Sequence, residues 1–226
     1  MYTLYGGKFT RALMTEMVFA ELGVPYELIA VDTMNAEHRS EAFLKINPAG
    51  WVPALKTPEG AVLYETPAIN LYLAERHGLG ELVPALDDPR RGLFLSSLFY
   101  LTDELEPALK RYFFPHRYGV RDTDEGEIRQ LSLKAVCACL EVIDGRLKES
   151  GPYHLGDQFS LADLTLSFWI RCLLDKGAVS EFRAVLECVD LVRNRPLLRR
   201  LFANHDESMK AYAELDADGQ RPGGRQ

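Results

Sequence analysis

The sequence predicts an α/β domain followed by an all-helical domain. Two observations carry that prediction. Strand and helix signals alternate over the first third of the chain and stop after Val83-Pro84. Beyond a linker at Ala85-Leu86-Asp87-Asp88-Pro89, the apolar pattern has helical spacing only. The length of 226 residues lies between one and two domains at about 150 residues each. Such a chain can bury a sizeable core without metals or disulfides.

Taken in order, Thr3-Leu4-Tyr5 is a strand stopped by Gly6-Gly7. Between Thr10 and Leu22, residues Leu13, Met17, Ala20 and Leu22 recur near helical spacing. Gly23 and then Pro25 end that helix. Tyr26 to Val31 is a second strand, and Ser40 to Ile46 a short helix. Val52 to Lys56 and Ala61 to Tyr64 flank Thr57-Pro58-Glu59-Gly60, whose turn chemistry predicts a hairpin. Thr66 to Arg76 is a helix closed by His77-Gly78, giving the order βαβαββα. Helices are then expected over roughly 90–119, 125–149, 160–175, 180–192 and 196–212. The polar stretch from Asp216 to Gln226 is expected to fray. The expected domains are therefore 1–84 and 90–215, with a tail over 216–226.

Composition narrows the function. The chain is 47% hydrophobic and 26% charged, an ordinary globular balance that excludes a wholly disordered or collagen-like chain. No apolar run approaches the roughly 20 residues that span a bilayer, and the first residues lack the layout of a secretion signal. A net charge of -7 without a long basic run disfavours nucleic-acid binding through phosphate contacts. The four cysteines, Cys137, Cys139, Cys172 and Cys188, form no CxxC pair. A disulfide framework and a zinc site are both disfavoured, and the cysteines read as small buried residues in a reducing cytosol.

Three segments could carry chemistry, and a fourth is a structural signal. In Asn47-Pro48-Ala49-Gly50-Trp51-Val52-Pro53, the proline at a strand start serves geometry. It is either an ordinary trans proline opening an edge strand or a cis proline. A cis bond would turn Val52 outward and let an extended ligand pair with its backbone. In Tyr64-Glu65-Thr66-Pro67, Thr66 reads as an N-cap and Pro67 as the first helical residue. The helix N-terminus there could hold a carboxylate, and Glu65 an ammonium. The pair suits an α-amino-acid head group, or simply a capped helix beside a solvated glutamate. The Thr10 hydroxyl could cap the first helix or donate to an anion, a thiolate included. In Gly156 to Leu164, Ser160 and Asp163 read as a reciprocal capping box, with Phe159 and Leu164 at the staple positions. That motif is structural.

Together these segments resemble the cytosolic glutathione S-transferase superfamily. The resemblance rests on Asn47 to Leu55, on Leu63-Tyr64-Glu65-Thr66-Pro67-Ala68-Ile69 with Tyr72-Leu73, and on Gly156-Asp157 through Asp163. It implies a thioredoxin-like N-terminal domain that binds glutathione, followed by an all-helical C-terminal domain. It also implies roles. Val52, with Pro53 cis, pairs with the cysteinyl part of glutathione. Glu65 and Thr66 bind the γ-glutamyl head, where the family usually has a serine after the acid. His38 and Arg39 face the glycyl carboxylate. Phe9-Thr10-Arg11-Ala12 resembles the Ser-Arg-Ala of theta-like members, which gives Thr10 the thiolate-stabilising role, with Tyr5 ranked below it. Trp51 departs from the family, which often has Lys, Arg or Gln there.

The implied function is a glutathione transferase. It would stabilise the thiolate, of which the free thiol carries only a few per cent at neutral pH, and direct it at a small electrophile between the domains. Tyr100, Tyr112, Phe113, His116, Arg117 and Tyr118 are candidates to face that electrophile, or else form a packing cluster. A cytoplasmic homodimer is expected, without nucleic acid, membrane or metal. Other readings are a glutathione-dependent peroxidase, isomerase or lyase at the same site, or a non-catalytic interaction module.

Overall fold

The computed structural model describes the chain apart from residues 8, 9, 79, 172, 174–176, 178 and 218–226; for 122, 209 and 211–217 only the backbone is described. It divides into two units. One holds Met1–Leu79 with the helix that follows Arg195, and the other holds Gly80–Asn194. The last helix, expected in the helical domain, thus belongs with the sheet. The expected tail lies from 218 on outside the described residues.

In the first unit the elements are β1 (Tyr2–Gly6), α1 (Ala12–Leu22), β2 (Tyr26–Ala30), α2 (Glu41–Leu44), β3 (Ala54–Lys56), β4 (Val62–Tyr64) and α3 (Thr66–Arg76). The order βαβαββα is the expected one. The strands form one mixed sheet, β2-β1-β3-β4, with β1 parallel to β2 and antiparallel to β3. Helices α1 and α3 pack together, and the buried Thr15 hydroxyl donates to Asn70 Oδ1 at 2.9 Å, so a polar pair inside the core stays satisfied. Leu4, Met17, Phe19, Leu55, Ile69 and Leu73 fill the core. A second cluster gathers Val31, Phe43 and Val52, with Tyr5 and Ile46 against it. The last helix, α9 (Arg199–Ala217), is preceded by Arg195, whose guanidinium makes a two-pronged bond to Glu21 at 2.7 and 2.9 Å.

The second unit is helical: α4 (Arg91–Tyr100), α5 (Glu106–Phe113), α6 (Glu125–Ser150), α7 (Leu161–Arg171) and α8 (Arg183–Arg193). The expected helix over 90–119 is interrupted. A π-helical turn spans Leu101–Leu105, two residues before Pro107, which has no N–H to donate to the i−4 carbonyl. Pro115 then opens a separate 3-10 turn. Every residue of α7 is buried, so this helix is the centre of the unit.

Asp163 fixes the start of α7. Its carboxylate accepts from Ser160 N–H and Ser160 Oγ, both at 2.8 Å, from His154 N–H at 2.8 Å, and sits 2.7 Å from His154 Nδ1. The expected capping box is therefore one-sided. The serine hydroxyl donates to the aspartate instead of accepting from the Asp163 N–H. Asp144 plays a similar part for α8, accepting from Ala184 and Val185 N–H at 2.9 and 3.1 Å.

Asp163→Ala would leave several buried donors without acceptors. It is expected to cost about 3 kcal/mol or more in urea unfolding; a loss below about 1 kcal/mol would show that the carboxylate is not what anchors α7.

Candidate functional site

Strand register gathers the candidate residues at one end of the sheet. Tyr5 on β1 pairs with Ala54 on β3, and Ala54 pairs with Tyr64 on β4. Gly6 pairs with Ala30 on β2. Because β3 runs against its neighbours, the residues just before β3 lie beside those just after β1 and β4. So Gly7 with Thr10 bonded to it, the Trp51-Val52-Pro53 segment, Glu65-Thr66 and the segment leading from Val31 to His38 and Arg39 all lie at the same sheet end.

The Val52–Pro53 bond is cis. Val52 is buried by its side chain against Phe43 and Tyr5, while its N–H and C=O make no backbone hydrogen bond among the described residues. The preceding loop is built from within. The side chain of buried Asn47 donates to Trp51 O at 2.7 Å and accepts from Ala49 N–H at 3.1 Å. Gly50 stands at φ +64°, a conformation that favours glycine, and a Cβ there would lie 2.7 Å from Arg39 Nη1, so a larger residue would displace the arginine. Arg39 donates to Ala49 O at 3.2 Å.

At the start of α3 the structure corrects the expected cap. Glu65, not Thr66, is the N-cap residue, and it makes no side-chain cap bond. Thr66 is the first helical residue and Pro67 the second. Glu65 is held at φ +68°, an uncommon conformation for a side-chain-bearing residue. Thr66 is 2% exposed, yet its hydroxyl finds no hydrogen-bond partner among the described residues. A buried hydroxyl without a protein partner is costly, and its hydrogen-bonding capacity is open to a ligand or a water. It lies at a helix N-terminus, where first-turn N–H groups favour an anion.

Thr10 is buried and stands one residue before Arg11, the N-cap residue of α1, which makes no side-chain cap bond. Thr10 Oγ accepts from Ala12 N–H at 3.2 Å and donates to Gly7 O at 2.8 Å. Its neighbour Phe9 lies outside the described residues. Gly6 lets α1 approach β1, since a Cβ there would stand 2.2 Å from Ala12 Cβ. The Tyr5 ring packs edge-on against Phe43, with centroids 6.4 Å apart.

Of the residues suggested for an electrophile, one pair is in contact inside the second unit and two more rest on Phe114. Tyr112 meets Phe113 edge-on, Phe114 meets His116, and Arg117 lies over Phe114 at 4.4 Å. Burial pushes the Tyr100 hydroxyl up to about 12, so it is neutral at physiological pH. The thiols of Cys137, Cys139 and Cys188 are unpaired and likewise raised by burial; Cys172 lies outside the described residues. Among the described residues no helix is long and apolar enough to cross a membrane.

Comparison with known proteins bears on the family and the fold. Residues 11–76 match the family description "Glutathione S-transferase, N-terminal domain". A glutathione S-transferase of Arabidopsis thaliana is 31% identical over 170 residues, covering 71% of this chain and 76% of that one. One of Drosophila melanogaster is 30% identical over 167 residues, covering 74% and 73%. Among solved structures, a glutathione transferase homolog from sulfitobacter with bound glutathione superposes with a TM-score of 0.79 at 26% identity, over 90% of this chain and 98% of that one. Glutathione transferase F7 from Populus trichocarpa, at 23% identity, shares the fold with a TM-score of 0.78, over 91% and 99%.

Proposed function

The chain belongs to the glutathione S-transferase superfamily, and from that premise we propose that it binds reduced glutathione at the end of its sheet, stabilises the thiolate and directs it at a small electrophile. The observation that carries this reading is the buried, unpartnered Thr66 hydroxyl beside Glu65. Glu65 receives the ammonium of the γ-glutamyl head, while Thr66 Oγ and the first-turn N–H groups of α3 receive its carboxylate. Val52 lends its N–H and C=O to the cysteinyl residue as a short added strand. His38 and Arg39, reached from β2 at the same sheet end, face the glycyl carboxylate.

The β1–α1 turn, also at that end, then takes the sulfur. Thr10 keeps accepting from Ala12 N–H while its one proton swings from Gly7 O to the thiolate. That donation, with the N-terminus of α1, lowers the thiol pKa; each unit corresponds to about 1.4 kcal/mol. The thiolate forms a carbon–sulfur bond as the leaving group departs with its electron pair, and no protein nucleophile is needed. The raised thiols of the described cysteines suit that division of labour. A homodimer in a reducing cytoplasm is part of the same proposal, carried over from the superfamily; the described cysteines are free thiols.

Titration calorimetry tests the head-group assignment. Thr66→Val replaces a hydroxyl without partners by a methyl of the same shape, so folding stability should hold or rise. Glutathione affinity should nevertheless fall about tenfold or more; unchanged affinity refutes the assignment. For the sulfur, Thr10→Val should raise the bound thiol pKa by about one unit, while Thr10→Ser should keep it. Thiolate absorbance against pH reads both, and an unmoved pKa in Thr10→Val would remove Thr10 from the mechanism.

A further inference from the structure

Trp51 stands where the sheet-end loop meets the basic pair, and nothing in the chemistry derived above uses it. The residue is 46% exposed, unusual for one with so large an apolar side chain. The exposed ring is not idle. The Arg39 guanidinium carbon lies 4.3 Å from the ring centroid, a cation–π contact. The His38 imidazole stacks against the same indole, with centroids 6.2 Å apart and planes 29° from parallel. Both basic residues of the 3-10 turn Glu37–Arg39 are thus gathered on one aromatic surface.

The guanidinium is held from two further directions. Nη1 donates to Ala49 O at 3.2 Å, and the side chain passes over Gly50, where a Cβ would be 2.7 Å away. A free arginine side chain carries large rotamer entropy, and a planar fork already held in place loses less when it grips a carboxylate. Only one of its five N–H donors is spent on Ala49, and no acidic partner claims the rest among the described residues.

We propose that Trp51 is a positioning residue that pre-orders Arg39, with His38 beside it, for a ligand's C-terminal carboxylate, and so gives this chain its preference for the full tripeptide over peptides lacking glycine. The inference rests on the glutathione reading above. It assigns Trp51 no contact with the sulfur or the γ-glutamyl head.

The test compares glutathione with γ-glutamylcysteine, the same molecule without glycine, by titration calorimetry. The proteins are the wild type, Trp51→Leu, Trp51→Phe, Arg39→Gln and the double variant Arg39→Gln/Trp51→Leu. Trp51→Leu should weaken glutathione about five- to tenfold and leave γ-glutamylcysteine within about twofold. Trp51→Phe should recover most of the loss, because a ring face remains. In the Arg39→Gln background, Trp51→Leu should cost nothing further, since the residue acts through the arginine. Equal weakening of both peptides, no weakening of either, or full additivity with Arg39→Gln would each overturn the inference. If the wild type binds γ-glutamylcysteine, the glutathione reading stands whatever Trp51 does. If it binds neither peptide, that reading fails first and this inference with it.

Discussion

Everything at the candidate site hangs on the pairing of three short strands. Tyr5, Ala54 and Tyr64 lie side by side in register. A slip of one residue on β3 would turn Leu55 out of the core and carry Val52 away from Phe43 and Tyr5. The register is held by burial on one face: Leu4 and Leu55 are paired and fully buried beneath α1 and α3. The core thus decides where the loops begin, and the loops carry the polar groups. The sheet-end chemistry is a by-product of packing done elsewhere, which is why the loops can afford uncapped N–H groups, a positive φ at Glu65 and an orphaned hydroxyl at Thr66.

The loop from Asn47 to Pro53 shows how such a site is kept in shape without regular structure. Asn47 replaces backbone partners with its own side-chain amide, bonding at both ends of the turn. Gly50 supplies both the left-handed conformation and the room for Arg39. The loop's internal bonds and the basic pair that rests on it therefore belong to one arrangement. Within the second unit, buried carboxylates serve in place of regular structure in a similar way. Asp163 and Asp144 each gather backbone N–H groups at a helix start, one from a nearby turn and one from 40 residues away.

Much of this was legible in the sequence, and the failures have physical causes. The element order, the hairpin and both limits of α3 follow from periodicity and turn residues, because those signals are local. The Val52–Pro53 geometry was left open by the residues alone and was fixed only through resemblance. Thr66 looks like an N-cap because threonine usually is one; the unusual backbone of Glu65 displaces the cap by one residue, and backbone strain leaves no mark in a sequence pattern. Ser160 and Asp163 have the right spacing for a reciprocal box, but His154 competes for the same carboxylate and redirects the serine hydroxyl. The Asp144 cap on α8 and the Arg195–Glu21 bond that ties the end of the chain to α1 join residues distant in sequence, so no window could reveal them. The contact of Trp51 with Arg39 spans 12 positions and a turn, and only the fold brings it into view.

In the proposed site, glutathione completes the bonding of groups that the fold leaves open at the sheet end. Amide-resolved NMR of the protein titrated with glutathione is the decisive measurement. The Val52 and Thr66 amide protons should shift downfield and exchange more slowly as the ligand saturates, because each gains an acceptor. Saturable binding that leaves both amides unmoved, with changes confined to the helices of the second unit, would contradict it.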